Sequence, residues 1–255
     1  MILAIANQKG GVGKTTTSIN IAACLAAMHR RVLLVDLDPQ GNATTGSGID
    51  NAAVVSSTYD VLINGIVVAD AKIAVDASGY DLLPANVDLS GAEVELMDIP
   101  SREHRLRNAL ESCNSSYDYI IIDCPPSLSL LTLTGLVAAN GVIIPMQCEY
   151  YALEGLTALI GTISRITNRL NSELEIKGIV RTMFDPRNRL ANEVSDDLVD
   201  HFGDLVFSTI IPRNVRLAEA PSYGLPIMYY DKQSRGARAH LALAGELVKR
   251  LESGD

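Results

Sequence analysis

Short aliphatic runs separated by longer amphipathic stretches organise the chain. The runs fall at 2–6, 32–36, 80–84, 118–122, 141–146, 176–183 and 206–211, each of strand length. Most of the gaps between them carry helical patterns, at 15–28, 101–113, 128–139, 151–170 and 190–201, and a last helix is predicted over about 236–252. This alternation predicts an α/β fold: a mostly parallel, twisted sheet with helices on both faces. Ligands of such sheets bind outside the carboxyl ends of the strands. No Pro/Ser/Gly linker, repeat or low-complexity tract divides the chain, so one domain is expected over residues 1–255. Residues 39–60 are rich in Gly, Asn, Thr and Ser and are expected to form a mobile, functional loop.

Composition sharpens this picture. Apolar residues make up 47 % of the chain, tryptophan is absent and there are 3 phenylalanines, so the core must be built from Ala, Ile, Leu and Val. The formal net charge of −9 argues against indiscriminate wrapping of nucleic acid but leaves room for a local basic patch. Cys24, Cys113, Cys124 and Cys148 form no Cys-x-x-Cys pair and read as reduced, buried thiols. No apolar stretch approaches the roughly 20 residues of a membrane-spanning helix. The first strand begins at residue 2, which suggests neither a signal peptide nor a preceding helix-turn-helix domain. A cytoplasmic protein is expected.

The chemistry is concentrated at three strand ends. Behind the run Ile2–Ala6 comes Lys9-Gly10-Gly11-Val12-Gly13-Lys14-Thr15-Thr16, which opens a helical pattern at Ile19, Ile21, Ala22 and Leu25. Strand, glycine loop and helix form a phosphate-binding arrangement: glycines let backbone N–H groups approach phosphate oxygens, and the helix N-terminus adds partial positive charge. Lys14 would reach the β- and γ-phosphates, and the Thr15 hydroxyl would bind Mg²⁺. The usual pattern has a glycine five residues before Gly13; here that position is Gln8, and a second lysine, Lys9, heads the loop. A lysine there points away from its own phosphates and could serve a nucleotide held by a second copy.

Asp36 and Asp38 end the second run, on the same side by strand alternation and facing the phosphate loop. One can hold a lysine or a metal-bound water, the other can orient an attacking water. The run Tyr119–Ile122 ends in Asp123-Cys124-Pro125-Pro126-Ser127, which places a carboxylate near Mg²⁺ and a rigid switch segment behind it. Arg181, Arg187, Arg189, Arg213, Arg216, Lys232, Arg235 and Arg238 concentrate late in the chain, interrupted by Asp185, Asp196 and Asp197, so that the sequence alone does not establish a DNA site.

Asn7–Thr17, Leu33–Ala43, Ile122–Ser127, Ile211–Ser222 and Tyr230–Ala237 together resemble the ParA/Soj-type chromosome-partitioning ATPases. These belong to the deviant-Walker P-loop group that includes MinD and the nitrogenase iron protein. The resemblance spans nearly the whole chain and implies a dimer-dependent ATPase using ATP and Mg²⁺. Lys9 matches the lysine that crosses the dimer interface to the partner's ATP, and Asp38 the aspartate that positions the hydrolytic water. Asp123 is similar to the Mg²⁺-associated carboxylate. Pro212 and Asn214 match positions that frame the adenine. Arg187 and Arg216 fall where related proteins carry arginines for sequence-independent DNA binding. The family's partners are a second copy of the chain, a DNA-bound ParB-like stimulator and double-stranded DNA of the nucleoid. A MinD-like membrane regulator would need a C-terminal amphipathic anchor, whereas Ala244–Asp255 ends acidic and without an aromatic residue. An iron–sulfur carrier would need cysteines bridging two subunits, and only Cys124 lies near the switch. A ParA-like protein for another cargo, such as a plasmid, a chemoreceptor array or a carboxysome, keeps the same fold, and the match to chromosomal forms makes it the secondary reading.

Overall fold

The structure is a computed structural model that describes residues 1–252. Its strands are β1 (Ile2–Ile5), β2 (Val32–Asp36), β3 (Ile73–Val75), β4 (Tyr80–Leu83), β5 (Tyr119–Asp123), β6 (Gly141–Gln147) and β7 (Glu175–Thr182). The helices of the first half are α1 (Lys14–Ala27), α2 (Asn42–Gly46), α3 (Val68–Ala71), α4 (Leu89–Leu96) and α5 (Arg105–Glu111). Those of the second half are α6 (Leu130–Ala138), α7 (Ala152–Arg169), α8 (Arg189–Phe202), α9 (Val215–Glu219), α10 (Ile227–Tyr230) and α11 (Arg235–Glu252). One seven-stranded sheet results, in the order β3-β4-β2-β5-β1-β6-β7. Every neighbouring pair is parallel except the edge pair β3–β4.

Strand alternation divides the aliphatic residues between two layers. Ile2, Ala4, Leu33, Val35, Ile120 and Ile122 point to the face covered by α4 to α8. Leu3, Ile5, Val32, Leu34, Tyr119 and Ile121 point to the face covered by α1 and α9 to α11. Both faces are therefore dry, which is why the central strands read as unbroken apolar runs.

Two expectations are corrected. The run 206–211 is not a strand: single bridges, Ile179 to Val206 and Phe184 to Pro212, tie it and the residue after it to β7 and the segment beyond β7. A few backbone hydrogen bonds, from the Phe207 N–H to the Ile179 carbonyl, the Ile211 N–H to the Arg181 carbonyl and the Phe184 N–H to the Ile211 carbonyl, are joined by side chains. Arg181 donates to the carbonyls of Phe207 and Ser208, Arg250 to those of Asp204 and Val206, and the Glu246 carboxylate accepts the N–H groups of Ser208 and Thr209. Residues 39–60 are not an open loop either. They contain α2, and Thr44, Ser57 and Thr58 are fully buried.

Register decides where the site falls. Ile5 pairs with Asp123, and Asp123 with Asp36, so the carboxyl ends of β1, β2 and β5 finish level. The glycine loop, the Asp36–Asp38 turn and the Asp123 segment consequently meet at one edge of the sheet.

Candidate nucleotide site

Gly11 and Gly13 have φ of 72° and 86°, a left-handed backbone that only glycine adopts cheaply. The loop they shape is held from the ends of the neighbouring strands. The Thr182 hydroxyl donates to the Val12 carbonyl at 2.7 Å, and Gln147 Nε2 to the Gly11 carbonyl at 3.2 Å. Val12 turns its side chain into the protein, while Gly10, Gly11, Gly13, Lys14, Thr15 and Thr16 line a cavity of about 540 Å³. Asp38 and Gln40 form one wall of it, and Met183, Leu217, Ala220, Pro221 and Leu225 a largely apolar one. A polar floor at a helix N-terminus and an apolar wall suit a phosphorylated, partly aromatic ligand.

Lys14 is buried, with Nζ 3.3 Å from the Lys9 carbonyl. Burial lowers its pKa, an effect opposed by the charges of Asp123, Cys124 and Asp38. Asp123 is fully buried. Its Oδ1 accepts from Ser18 Oγ at 2.7 Å, whereas Oδ2 has no hydrogen-bond partner. Desolvation pushes its pKa up to about 6, held back by the hydroxyls of Ser18 and Thr15. An orphaned carboxylate oxygen beside a threonine hydroxyl, at the foot of a phosphate loop, fits a divalent cation.

The two carboxylates of the second strand end are not equivalent. Asp36 does not face the phosphate loop in the sense expected: its Oδ2 accepts from the Thr44 N–H and hydroxyl at 2.8 and 2.7 Å, and its Oδ1 from the Asp38 N–H. Burial and the neighbouring charge of Asp123 push its pKa up to about 7. Asp36 thus fastens α2 to β2, and Asp38 is the carboxylate presented to the cavity, with Oδ1 also accepting from the Gln40 N–H.

Lys9 leaves the cavity altogether. Its exposed ammonium pairs with Glu149 after β6, and Lys9 is not among the residues that line the cavity with Lys14. Pro212 and Asn214 do not line the cavity. Asn214 caps α9 by accepting the Leu217 N–H, and α9 with the turn after it supplies the apolar wall. Arg187 and Arg216 are exposed but already engaged: Arg187 with both oxygens of Asp185, Arg216 with Glu219 and Asp231. Arg181 is buried under Ser195 and the Phe207 carbonyl and belongs to the interior, not to a basic surface. Cys124 is buried, and no group of three metal-binding side chains exists among the described residues.

Several participants were not singled out from the sequence. Ser18 could have been, since it lies one helical turn beyond Lys14 and so faces the same strand end. Thr44, Gln147, Met183 and Glu149 gave no such signal, because their positions follow from how separate segments cross.

A mostly parallel sheet whose first strand runs through a glycine loop into a helix, with carboxylates in register at the ends of β5 beside it and of β2 next in order, defines a P-loop nucleoside-triphosphatase. The AAA-domain family AAA_31 matches residues 1–176. The chain is 54 % identical over 247 residues to the sporulation initiation inhibitor protein Soj of Bacillus subtilis, covering 97 % of this chain and 98 % of Soj. It is 51 % identical over 251 residues to the chromosome partitioning protein ParA of Caulobacter vibrioides, covering 98 % and 94 %. A Mycobacterium smegmatis structure described as cobyrinic acid a,c-diamide synthase with bound ADP and magnesium superposes with a TM-score of 0.87 at 40 % identity, covering 100 % and 96 %. The chain belongs to the ParA/Soj family of partitioning ATPases.

Proposed function

We propose that the protein is a Mg²⁺-dependent ATPase that acts as a DNA-segregation switch. Two ATP-bound copies pair across their glycine loops, the homodimer binds double-stranded DNA of the nucleoid without sequence preference, and a DNA-bound ParB-like partner stimulates hydrolysis. The observation that carries this reading is the divergence of the two loop lysines. Lys14 is buried against the cavity, whereas Lys9 extends from the same loop to the outer surface. A cation outside its own cavity supports a role toward a nucleotide brought up by a second copy.

The chemistry follows from the cavity. Hydrolysis needs a water in line with the bond to the leaving phosphate, and neutralisation of charge on the transferring group. Asp38 orients the water. Lys14 and the loop N–H groups hold the phosphates, and the partner's glycine loop delivers the second cation, as an arginine finger does in other nucleotidases. Thr15 and Asp123 would hold Mg²⁺, which supplies further charge neutralisation when bound. For DNA, Arg216 sits on α9, whose Leu217 lines the nucleotide wall. Its carboxylate partners must be displaced by a phosphate, and doubling such contacts in a dimer raises affinity steeply.

Light scattering tests the pairing. With ATP and Mg²⁺, a slowly hydrolysing Asp38→Ala protein is expected to double in mass, while the same protein carrying Lys9→Ala stays monomeric yet binds nucleotide. A stable dimer of the Lys9→Ala form would overturn the role given to Lys9.

A further inference from the structure

An apolar groove runs between α6 and α7, on the face of the sheet away from α1. It has a volume of about 410 Å³. Leu128, Leu130 and Leu133 form one side, Ile166 and Leu170 the other. Leu128 is 43 % exposed, and Leu130, Leu133 and Leu170 are half-buried, so the floor is leucine surface in contact with water. Arg165 and Arg169 stand on its rim, both exposed and one helical turn apart on α7.

The two arginines set the charge of the rim. Like charges four residues apart on a helix repel one another. Among the described residues neither Arg165 nor Arg169 has a carboxylate partner. Arg165 donates only to the Thr162 hydroxyl, at 2.9 Å. Carbonyls at the C-terminus of α7 favour a cation in the last turn, which accounts for Arg169 but not for Arg165. On a chain with a net charge of −9, an uncompensated cationic pair bordering exposed leucine is a local reversal of the surface.

We infer that this groove docks an acidic amphipathic helix of a partner protein, with the partner's apolar stripe on the leucine floor and its carboxylates on Arg165 and Arg169. Duplex DNA would be drawn to the arginines but has nothing to place on the leucines. A helix in a groove uses both, with anchors at i, i+3, i+4 and i+7. The groove also lies directly behind the switch segment. Leu128 follows Ser127, whose carbonyl accepts from Thr132 of α6 at 2.6 Å, so a bound helix would touch the element that carries Asp123 at its other end. The inference stands apart from the reading of Lys9, since it concerns a different face and needs no dimer.

Fluorescence anisotropy with a labelled helical peptide of about 18 residues, five turns, tests it. The probe carries leucines at i, i+3, i+4 and i+7 flanked by glutamates. Two control peptides replace either every glutamate by lysine or every leucine by serine. Saturable binding of the Leu/Glu peptide alone is expected. Affinity should fall at least about tenfold for Arg165→Glu/Arg169→Glu and, independently, for Leu133→Ser. Both arginines are exposed, so the melting temperature and unstimulated ATPase rate of the arginine variant should match the wild type. Equal binding of the lysine peptide, or arginine variants that bind the probe as wild type does, would overturn the inference. So would a loss confined to binding of random-sequence duplex DNA, or an altered sedimentation coefficient showing that the face pairs two copies of this chain.

Discussion

Asp36 and Asp38 lie two residues apart at one strand end, and their surroundings separate them. Replacing Asp36 by alanine strands the Thr44 and Asp38 N–H groups and the Thr44 hydroxyl in a dry interior. The cost is about 1–3 kcal/mol for each buried donor left unpaired, read as a lower urea midpoint with ATP binding impaired only through folding. Asp38→Ala should leave stability close to wild type and lower turnover by about 10²–10⁴-fold while ATP still binds. A protein that unfolds early on loss of Asp38, or keeps its turnover, would exchange the two roles. Asp123 gives a pH signature. Burial raises its pKa to about 6, and a cation is held only by the ionised form, so Mg²⁺-dependent ATP affinity should be full above pH 7 and fall as pH drops through 6. Titrations from pH 5 to 8, with and without Mg²⁺, check this, and Asp123→Asn should remove the Mg²⁺-dependent part at every pH. The glycine loop and Asp123 were legible in the sequence because each ends an apolar run. The separate duty of Asp36 was not, because its partner Thr44 comes from a helix hidden in a stretch that reads as loop.

At the scale of elements, amphipathic helices and buried parallel strands declared themselves by period, and the central five strands fall within a residue or two of the expected runs. Segment 206–211 shows where period misleads. Its apolar residues are present for packing: Phe207 is fully buried against Gly178 of β7, where any Cβ would stand 2.2 Å from the ring. Its backbone is satisfied partly by β7 and the segment after it and partly by the side chains of Arg181, Arg250 and Glu246, and no window of sequence records that arrangement. Phe207→Ala should cost about 3–5 kcal/mol in chemical denaturation, the loss of a fully enclosed aromatic ring. Gly178→Ala should also destabilise, because the ring must leave its place. Full stability in either variant would mean that the segment packs differently. The short edge strand β3 and helix α4 escaped notice for simpler reasons: one is three residues long and the other eight, too short for a period to stand out.

The whole molecule places its nucleotide wall and its arginines on the same segment. Arg216 is held by Glu219 and Asp231 while Leu217, one residue on, lines the cavity. Duplex binding should therefore follow nucleotide state, appearing with ATP and Mg²⁺ and not with ADP. Arg216→Ala should abolish it equally on unrelated sequences without affecting dimer mass, because phosphate contacts carry no sequence information. Gel shifts at two salt concentrations check this. Arg187→Ala should act in the same direction, since Arg187 is also exposed although clasped by Asp185. No described helix is long and apolar enough to cross a membrane, and the tail residues 253–255, read as acidic, lie outside the described residues.

The central claim is that Lys9 acts on the nucleotide of a second copy, and mixing two inactive proteins tests it most directly. Lys9→Ala keeps Asp38 but lacks the crossing lysine. Asp38→Ala keeps Lys9 but cannot position the water. In a mixed dimer the Lys9→Ala subunit's own site regains a lysine from its partner. ATP hydrolysis of an equimolar mixture, with duplex DNA present, should rise well above the sum of the two proteins measured apart. A mixture that hydrolyses ATP no faster than that sum, while mass measurements show that mixed dimers form, would contradict it.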